Sequence, residues 1–385
     1  MWQGFNFNFS SLTLTHSVAK TVKVAMWTFN VSMVKPFLNL SHALQVTASK
    51  DKSGQGIAIV ALVDTGFLPM TLNFFATSIL KHGLENVLCI SLSHKICEKL
   101  KDYNIPCYPT TNTSIGDADN KIGIKVFRKK MDFRADLVLK AMEEKVPILL
   151  TDIDMVYFKN PLPYFKCSKC DIEALIDEAD KNLKAGFVLY RPTENSRKLA
   201  QNRITLGQKM KANDQTILNS AVRQMQHVLK VSKLNKTEFV CGLTYFSKGH
   251  RYFAGDYPSC KECVVIYNNW IVSQAAKIYR LKENHLWVND NGGYYSDPNR
   301  KYITYSNPVN FSADDKTSAQ ENKSFENALA IARITNRTII LPKCQHKQFV
   351  ECSLNFKFSV AVFDSVFKNM YREHTLIMNQ KVAST

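Results

Sequence analysis

From Ile57 onward, apolar and polar positions alternate between two periods. IAIVALVDTGF is a β-branched run stopped by Asp-Thr-Gly, which predicts a strand and a turn. MTLNFFATSILKHG has apolar residues at helical spacing and a glycine stop. NVLCISLS predicts a second strand, HKICEKLKDYN a helix and IPCYP a short third strand. After a polar loop at 110–119, FRADLVLKAMEEK predicts a helix that leads into the strand VPILLTDID. GFVLYRPT predicts another strand, followed by a polar amphipathic helix and NDQTILNSAVRQM. TEFVCGLTYFS reads as a hairpin or strand pair, with CVVIYNNWIVSQAAKIYRLKENHLW after it. Beyond a polar linker, FENALAIARITNRTIILP predicts a helix and then a strand. Alternation of this kind predicts an α/β fold, with a mixed, mostly parallel sheet and helices on both faces. The expected division is an ill-defined segment at 1–55, a main domain at 56–308 and a partial second α/β module at 309–385.

The strand ILLTDID ends in two aspartates one residue apart. At i and i+2 of an extended chain, Asp152 and Asp154 point to the same side. Two carboxylates at the end of a buried strand repel each other unless positive charge lies between them. A hard divalent ion, Mg²⁺ or Mn²⁺, meets that need when diphosphate oxygens complete its shell. Ligands of open α/β sheets bind beyond the carboxyl ends of strands, which is where this pair falls.

Composition narrows the picture. The chain has 385 residues, 45% hydrophobic and 22% charged, as a globular protein does. A formal charge of +17 points to anionic partners. With no Arg-rich block and no nucleic-acid motif, nucleotide phosphates or acidic glycans fit better than nucleic acid. The 10 cysteines include two CxxC pairs, Cys167/Cys170 and Cys260/Cys263. They stand too far apart for a zinc ribbon, so structural disulfides of an oxidising compartment are expected. Sequons at Asn8, Asn30, Asn39, Asn112, Asn235, Asn310, Asn322 and Asn336 lean the same way. The first fifty residues contain lysines but no acidic residue, and no apolar run long enough to span a membrane.

Four ordered blocks carry a resemblance: LLTDIDMVYFKNPLPYF, GFVLYRPT, NDQTILN and YNNWIVSQAAKIYRLKENHLW. With the opening strand and the LNFF helix, they make the span from Ile57 to Trp287 similar to the eukaryotic nucleotide-diphospho-sugar transferases, such as rhamnogalacturonan α-1,3-xylosyltransferases. The resemblance implies a GT-A type fold and a UDP-sugar donor. It also implies a divalent metal, a retaining transfer to a glycan or glycoprotein acceptor, and a membrane-attached enzyme of the Golgi lumen. Carried over by position, Asp152 and Asp154 match the metal and diphosphate motif; an asparagine oxygen, of Asn268 or Asn269, is the substitute for the histidine that relatives commonly have at position 267. Asp214 and Gln215 match the Asp-Gln pair near the donor sugar and acceptor; Asp214 also reads as a helix N-cap. Asp64 falls where the nucleotide lies, or is a turn former before Gly66. Arg134 or Lys130, on the helix before the motif, reads either as reaching the diphosphate or as part of a solvated helix face.

Two positions depart from the family pattern. Tyr267 stands where relatives commonly have a histidine before Asn-Asn, and its protonated phenol is a poor metal ligand. Lys184 replaces an asparagine ahead of GFVLYRPT. These departures support an alternative, a lumenal nucleotide-sugar-binding or carbohydrate-binding protein with weakened catalysis. The segment ENALAIARITNRTIILP is also similar to the opening of the O-fucosyltransferase-like fold, as a truncated module with no activity of its own.

Overall fold

The computed structural model describes residues 12–15, 37–91, 93–110, 124–177, 180–247, 253–254, 257–258, 260–290, 292–306, 315–342, 359–367 and 369–378. Most of the expected N-terminal segment, the loop beyond Thr110, Cys344, Cys352 and the sequons at Asn8, Asn30, Asn112 and Asn310 lie outside them. Described residues within 26–244 and 261–269 form one compact unit, and those within 1–25, 245–260 and 270–385 form another. The boundary expected near residue 308 therefore lies inside the second unit.

The second unit contributes β1 (Leu12–Thr15) at the start of the chain and, further along, the paired two-residue strands β11 (Phe253–Ala254) and β12 (Tyr257–Pro258). The first unit then contains α1 (Leu40–Ala48), β2 (Ala58–Val63), α2 (Leu68–Phe74), β3 (Val87–Ser91), α3 (His94–Lys101) and β4 (Cys107–Pro109). It continues with α4 (Ile124–Glu143), β5 (Ile148–Thr151), β6 (Met155–Tyr157), β7 (Ile172–Ile176) and β8 (Leu183–Tyr190). α5 (Glu194–Lys209), α6 (Asp214–Gln224), β9 (Val231–Lys233), β10 (Phe239–Cys241) and β13 (Val265–Tyr267) complete it.

Seven strands form the main sheet in the order β4-β3-β2-β5-β8-β7-β9. From β4 to β5 the strands are parallel; β8 runs antiparallel to both β5 and β7. Strand residues alternate faces. Ala58, Val60, Ile148, Leu150 and Val188 pack into one core with Leu137 and Val138 of α4, Leu199 of α5 and Leu218 of α6. On β8, Phe187 faces the other way, into an aromatic cluster with Tyr157, Phe165 and Phe239. The α/β class and the mixed, mostly parallel sheet are thus as expected.

The LNFF helix begins as α2, loosens into a π-type turn over Phe75–Ile79 and tightens over Leu80–His82. It ends at Gly83, whose φ of 60° suits a residue without a Cβ. The hairpin expected from TEFVCGLTYFS does not form. β10 pairs instead with β13 in parallel, and Leu243–Ser247 form a π-type turn. Gly242 explains the switch: its N–H donates to the Asn269 side chain at 2.6 Å, and a Cβ there would overlap the Asn269 backbone.

The second unit has its own sheet, β1-β14-β15-β16, where β14, β15 and β16 are Tyr302–Tyr305, Thr338–Ile340 and Tyr371–Arg372. These last three strands are parallel. Helices α7 (Gln274–Glu283), α8 (Asp315–Ile334) and α9 (Val360–Phe367) supply Ala276, Ala328, Leu329 and Phe363 to its core. The helix and strand expected in ENALAIARITNRTIILP are α8 and β15. No described helix is long and apolar enough to cross a membrane.

Candidate active site

The site grows from the carboxyl end of β5, whose four residues are fully buried. Asp152 is held in the sheet by its backbone N–H, which donates to the Gly186 carbonyl at 2.8 Å. Its carboxylate is committed on both oxygens. Oδ1 accepts from the Arg134 guanidinium, and Oδ2 accepts from the Tyr267 hydroxyl at 2.5 Å. Gly186 makes this arrangement possible: a Cβ there would come within 2.7 Å of the Asp152 Cγ and overlap both the carboxylate and the phenol oxygen.

Arg134 is 8% exposed and joins Asp152 to a second carboxylate, that of Asp214, at 3.4 Å. Asp214 in turn receives the Arg203 guanidinium at 2.5 Å, and Arg203 also donates to the Tyr190 hydroxyl at 2.8 Å. Two arginines and two aspartates therefore form a continuous buried chain. Burial alone would make it easier for Arg134 to lose its proton, but Asp152 and Asp214 more than offset that, so the cation is locked in. Burial, reinforced by Asp152 and Asp154, pushes the Tyr267 phenol well above its ordinary range. It gives a hydrogen bond and is not a metal ligand at neutral pH.

Asp214 is not the N-cap. Asn213 is, with its side chain accepting the Thr216 N–H at 2.9 Å. That leaves the Asp214 carboxylate in the first turn, turned to the arginines. Gln215 follows it, half-buried, with its backbone carbonyl accepting from Asn219 at 2.8 Å. Asp154 is 6% exposed, and its carbonyl accepts the Asn268 N–H at 2.9 Å. Antiparallel pairing of β6 with β13 sets Tyr267 opposite Met155 and so brings Asn268 to the second aspartate. Asp64 caps the short turn that ends β2, the strand next to β5. Lys130 lies one turn before Arg134 on α4; its side chain is outside the described residues. Lys184 is engaged elsewhere, in a buried ion pair with Asp177.

Arg203 was missed in the sequence. Ser196, Leu199, Ala200 and Arg203 fall at i, i+3, i+4 and i+7, all buried, so a polar helix carries an arginine on its inward stripe. Of the cysteines, Cys97–Cys107 and Cys167–Cys170 are disulfides, while Cys89 and Cys241 are buried thiols.

The residues fit a divalent ion poorly. Among the described residues, no group of three or more His, Cys, Asp or Glu side chains is placed to hold one. Both Asp152 oxygens already accept strong hydrogen bonds, one of them from a cation. An ion at about 2.0–2.2 Å from those oxygens would share them with the Arg134 guanidinium and the Tyr267 hydroxyl, the first of which repels it.

The model of the nucleotide-diphospho-sugar transferase family matches residues 82–281. The chain is similar to a UDP-D-xylose:L-fucose α-1,3-D-xylosyltransferase of Arabidopsis thaliana, 22% identical, over 63% of this chain and 72% of the relative. It is also similar to the arabinosyltransferase XEG113 of the same plant, 25% identical, over 67% of this chain and 46% of the relative. Among solved structures it is similar to the galactosyltransferase LgtC in complex with donor and acceptor sugar analogs, 14% identical, with a TM-score of 0.39, over 60% of this chain and 94% of that one.

Proposed function

The chain belongs to the nucleotide-diphospho-sugar transferase family, and on that premise we propose that it is a GT-A type glycosyltransferase that moves a pentose or hexose from a UDP-sugar to a glycan or glycoprotein hydroxyl, with retention. The observation that carries this reading is the Asp152–Arg134–Asp214–Arg203 chain at the carboxyl end of β5. Arg134 and Asp152 lie on the diphosphate side, with Asp64 toward the nucleotide and Lys130 one turn away on α4. Asp214 and Gln215 border the donor sugar. The relatives' α-1,3-xylosyl product favours a UDP-pentose and retention at the anomeric carbon.

In the transfer, the bond from the anomeric carbon to the diphosphate breaks and its electron pair leaves on the diphosphate. The acceptor oxygen bonds to the same face, and its proton passes to the departing phosphate oxygen. Asp214 faces the positive charge that develops on the sugar, and Arg134 the negative charge on the leaving group. Orientation and fixed electrostatics supply the acceleration, without a covalent nucleophile. The resemblance also implies Mn²⁺ or Mg²⁺ at Asp152, Asp154 and Asn268. The donor set around Asp152 disagrees, and no step is routed through an ion. The sequons and disulfides support a lumenal setting in the secretory pathway.

The test is UDP release from a panel of UDP-sugars with simple glycoside acceptors, comparing the wild type with Asp152→Asn and Asp214→Asn. Release from one sugar, lost in both variants, is the expected result. Release that survives Asp214→Asn unchanged would move the chemistry elsewhere. Tyr267 on Asp152 favours a second reading, nucleotide-sugar binding without turnover, which predicts UDP-sugar binding but no release.

A further inference from the structure

We infer that the diphosphate subsite works without a divalent cation, with the Arg134 guanidinium as its fixed positive charge and Tyr267 closing the place an ion would take. This inference rests on the UDP-sugar reading above. Three observations carry it. First, each Asp152 oxygen already accepts a strong hydrogen bond: Arg134 donates to Oδ1 and Tyr267 to Oδ2. Second, the Tyr267 hydroxyl and the Asp152 carboxylate are packed against the Cα of Gly186, where even a methyl group cannot be added. Third, Arg134 is held from two sides, by Asp152 and by Asp214, and Asp214 is itself anchored by the fully buried Arg203.

The charges explain why this arrangement excludes an ion. Arg134 and Arg203 offset the charges of Asp152 and Asp214, and Asp154 is the further carboxylate of this site. A divalent ion at Asp152 would sit against a guanidinium that has nowhere to go in a buried site. A planar guanidinium also has donors to spare after forking to a carboxylate, and it matches phosphate oxygens in geometry. The positive charge needed opposite a departing diphosphate is therefore built into α4, 18 residues before the aspartate it meets. Tyr267 is the positioning residue: it occupies the side of Asp152 that Arg134 leaves uncovered. Histidine has a similar reach and ligates Mn²⁺ as a neutral group, which a protonated phenol does poorly.

The experiment is UDP binding by calorimetry, in EDTA and in Mn²⁺, for the wild type, Tyr267→His and Arg134→Gln, with electron paramagnetic resonance of Mn²⁺ as a second readout. The wild type is expected to bind UDP with the same affinity in both media, within about twofold, and to leave the free Mn²⁺ signal unchanged. Tyr267→His should gain at least about tenfold in UDP affinity with Mn²⁺ and deplete that signal. Arg134→Gln should lose at least about tenfold in EDTA. A wild type whose UDP binding tightens tenfold or more with Mn²⁺ overturns the inference and leaves the transferase reading intact. An Arg134→Gln variant, folded by its melting curve, that binds UDP in EDTA as well as wild type overturns the role given to the guanidinium. No UDP binding by the wild type in either medium removes the donor reading, and this inference with it.

Discussion

Two regions of the molecule bury arginine, and they satisfy it in opposite ways. In the first unit, Arg134 and Arg203 are each held by carboxylates, in a chain that ends on the Tyr190 hydroxyl. In the second unit, Arg372 is 2% exposed and donates through Nη1 to the Tyr371 carbonyl; among the described residues its Nε and Nη2 meet no hydrogen-bond acceptor. Its guanidinium lies instead 4.1 Å from the Tyr294 ring centre, and the Lys282 ammonium is 3.2 Å from the same centre. The Tyr294 hydroxyl donates to Glu373, which puts partial negative charge near both cations. An aromatic face tolerates a cation without fixing its direction, whereas a carboxylate does both. The first arrangement fixes the direction of its charges, and the second keeps a core together.

The comparison breaks most sharply at Asp214. Asp214→Ala leaves Arg203 and Arg134 short of a counter-charge in a buried site, which costs about 3–5 kcal/mol. Urea unfolding should show that loss; a change below about 1 kcal/mol would mean the arginines find water instead. Gly186→Ala comes next, at about 1–3 kcal/mol, because the added methyl forces Asp152 away from Tyr267. UDP affinity should fall along with the melting temperature, and a variant that keeps both unchanged contradicts the packing described here.

The second unit offers a pH test. Burial is the main cause that lowers Lys282, to about 8, with Glu373 opposing it. The unfolded lysine keeps its proton to about pH 10.4. Between pH 8 and about 10 the unfolded state therefore binds more protons, so stability rises with pH, at most by about 1.4 kcal/mol per unit. Below pH 8 both states are protonated and the cost of burying the charge is fully present. Chemical denaturation from pH 7.5 to 9.5 should show this rise in the wild type and a flat profile in Lys282→Met. The smallest effect is expected from Asn213→Ala, about 1 kcal/mol through loss of the cap at Asn213, with the contacts of Asp214 to both arginines kept.

Much of the first unit was legible because its order is local. The β-branched run at Ala58–Val63, the stop at Gly83 and the apolar run ending at Thr151 announce themselves over a few residues. The region after Phe239 was not, because a strand three residues long acquires its identity from the strand it pairs with, and here that is β13. The position of Arg134 on its helix suits it to a diphosphate, but nothing near it in the chain says that two carboxylates hold it. The Asp214 cap was misplaced by one residue because Asn213 and Asp214 are both good capping residues. Only the turn geometry separates them.

By itself the sequence determined the α/β alternation, the position of Asp152 and Asp154 at the end of a buried strand, and the family to which four ordered blocks belong. Those properties follow from periodicity and from residue types in short windows. Tertiary structure alone decided which charges meet. Arg134 reaches Asp214 across 80 residues and Tyr267 reaches Asp152 across 115, over contacts set by strand register and by a glycine small enough to let them close. A carboxylate's partner is chosen by what the fold places within hydrogen-bond distance, and that distance has no counterpart in the order of residues along the chain.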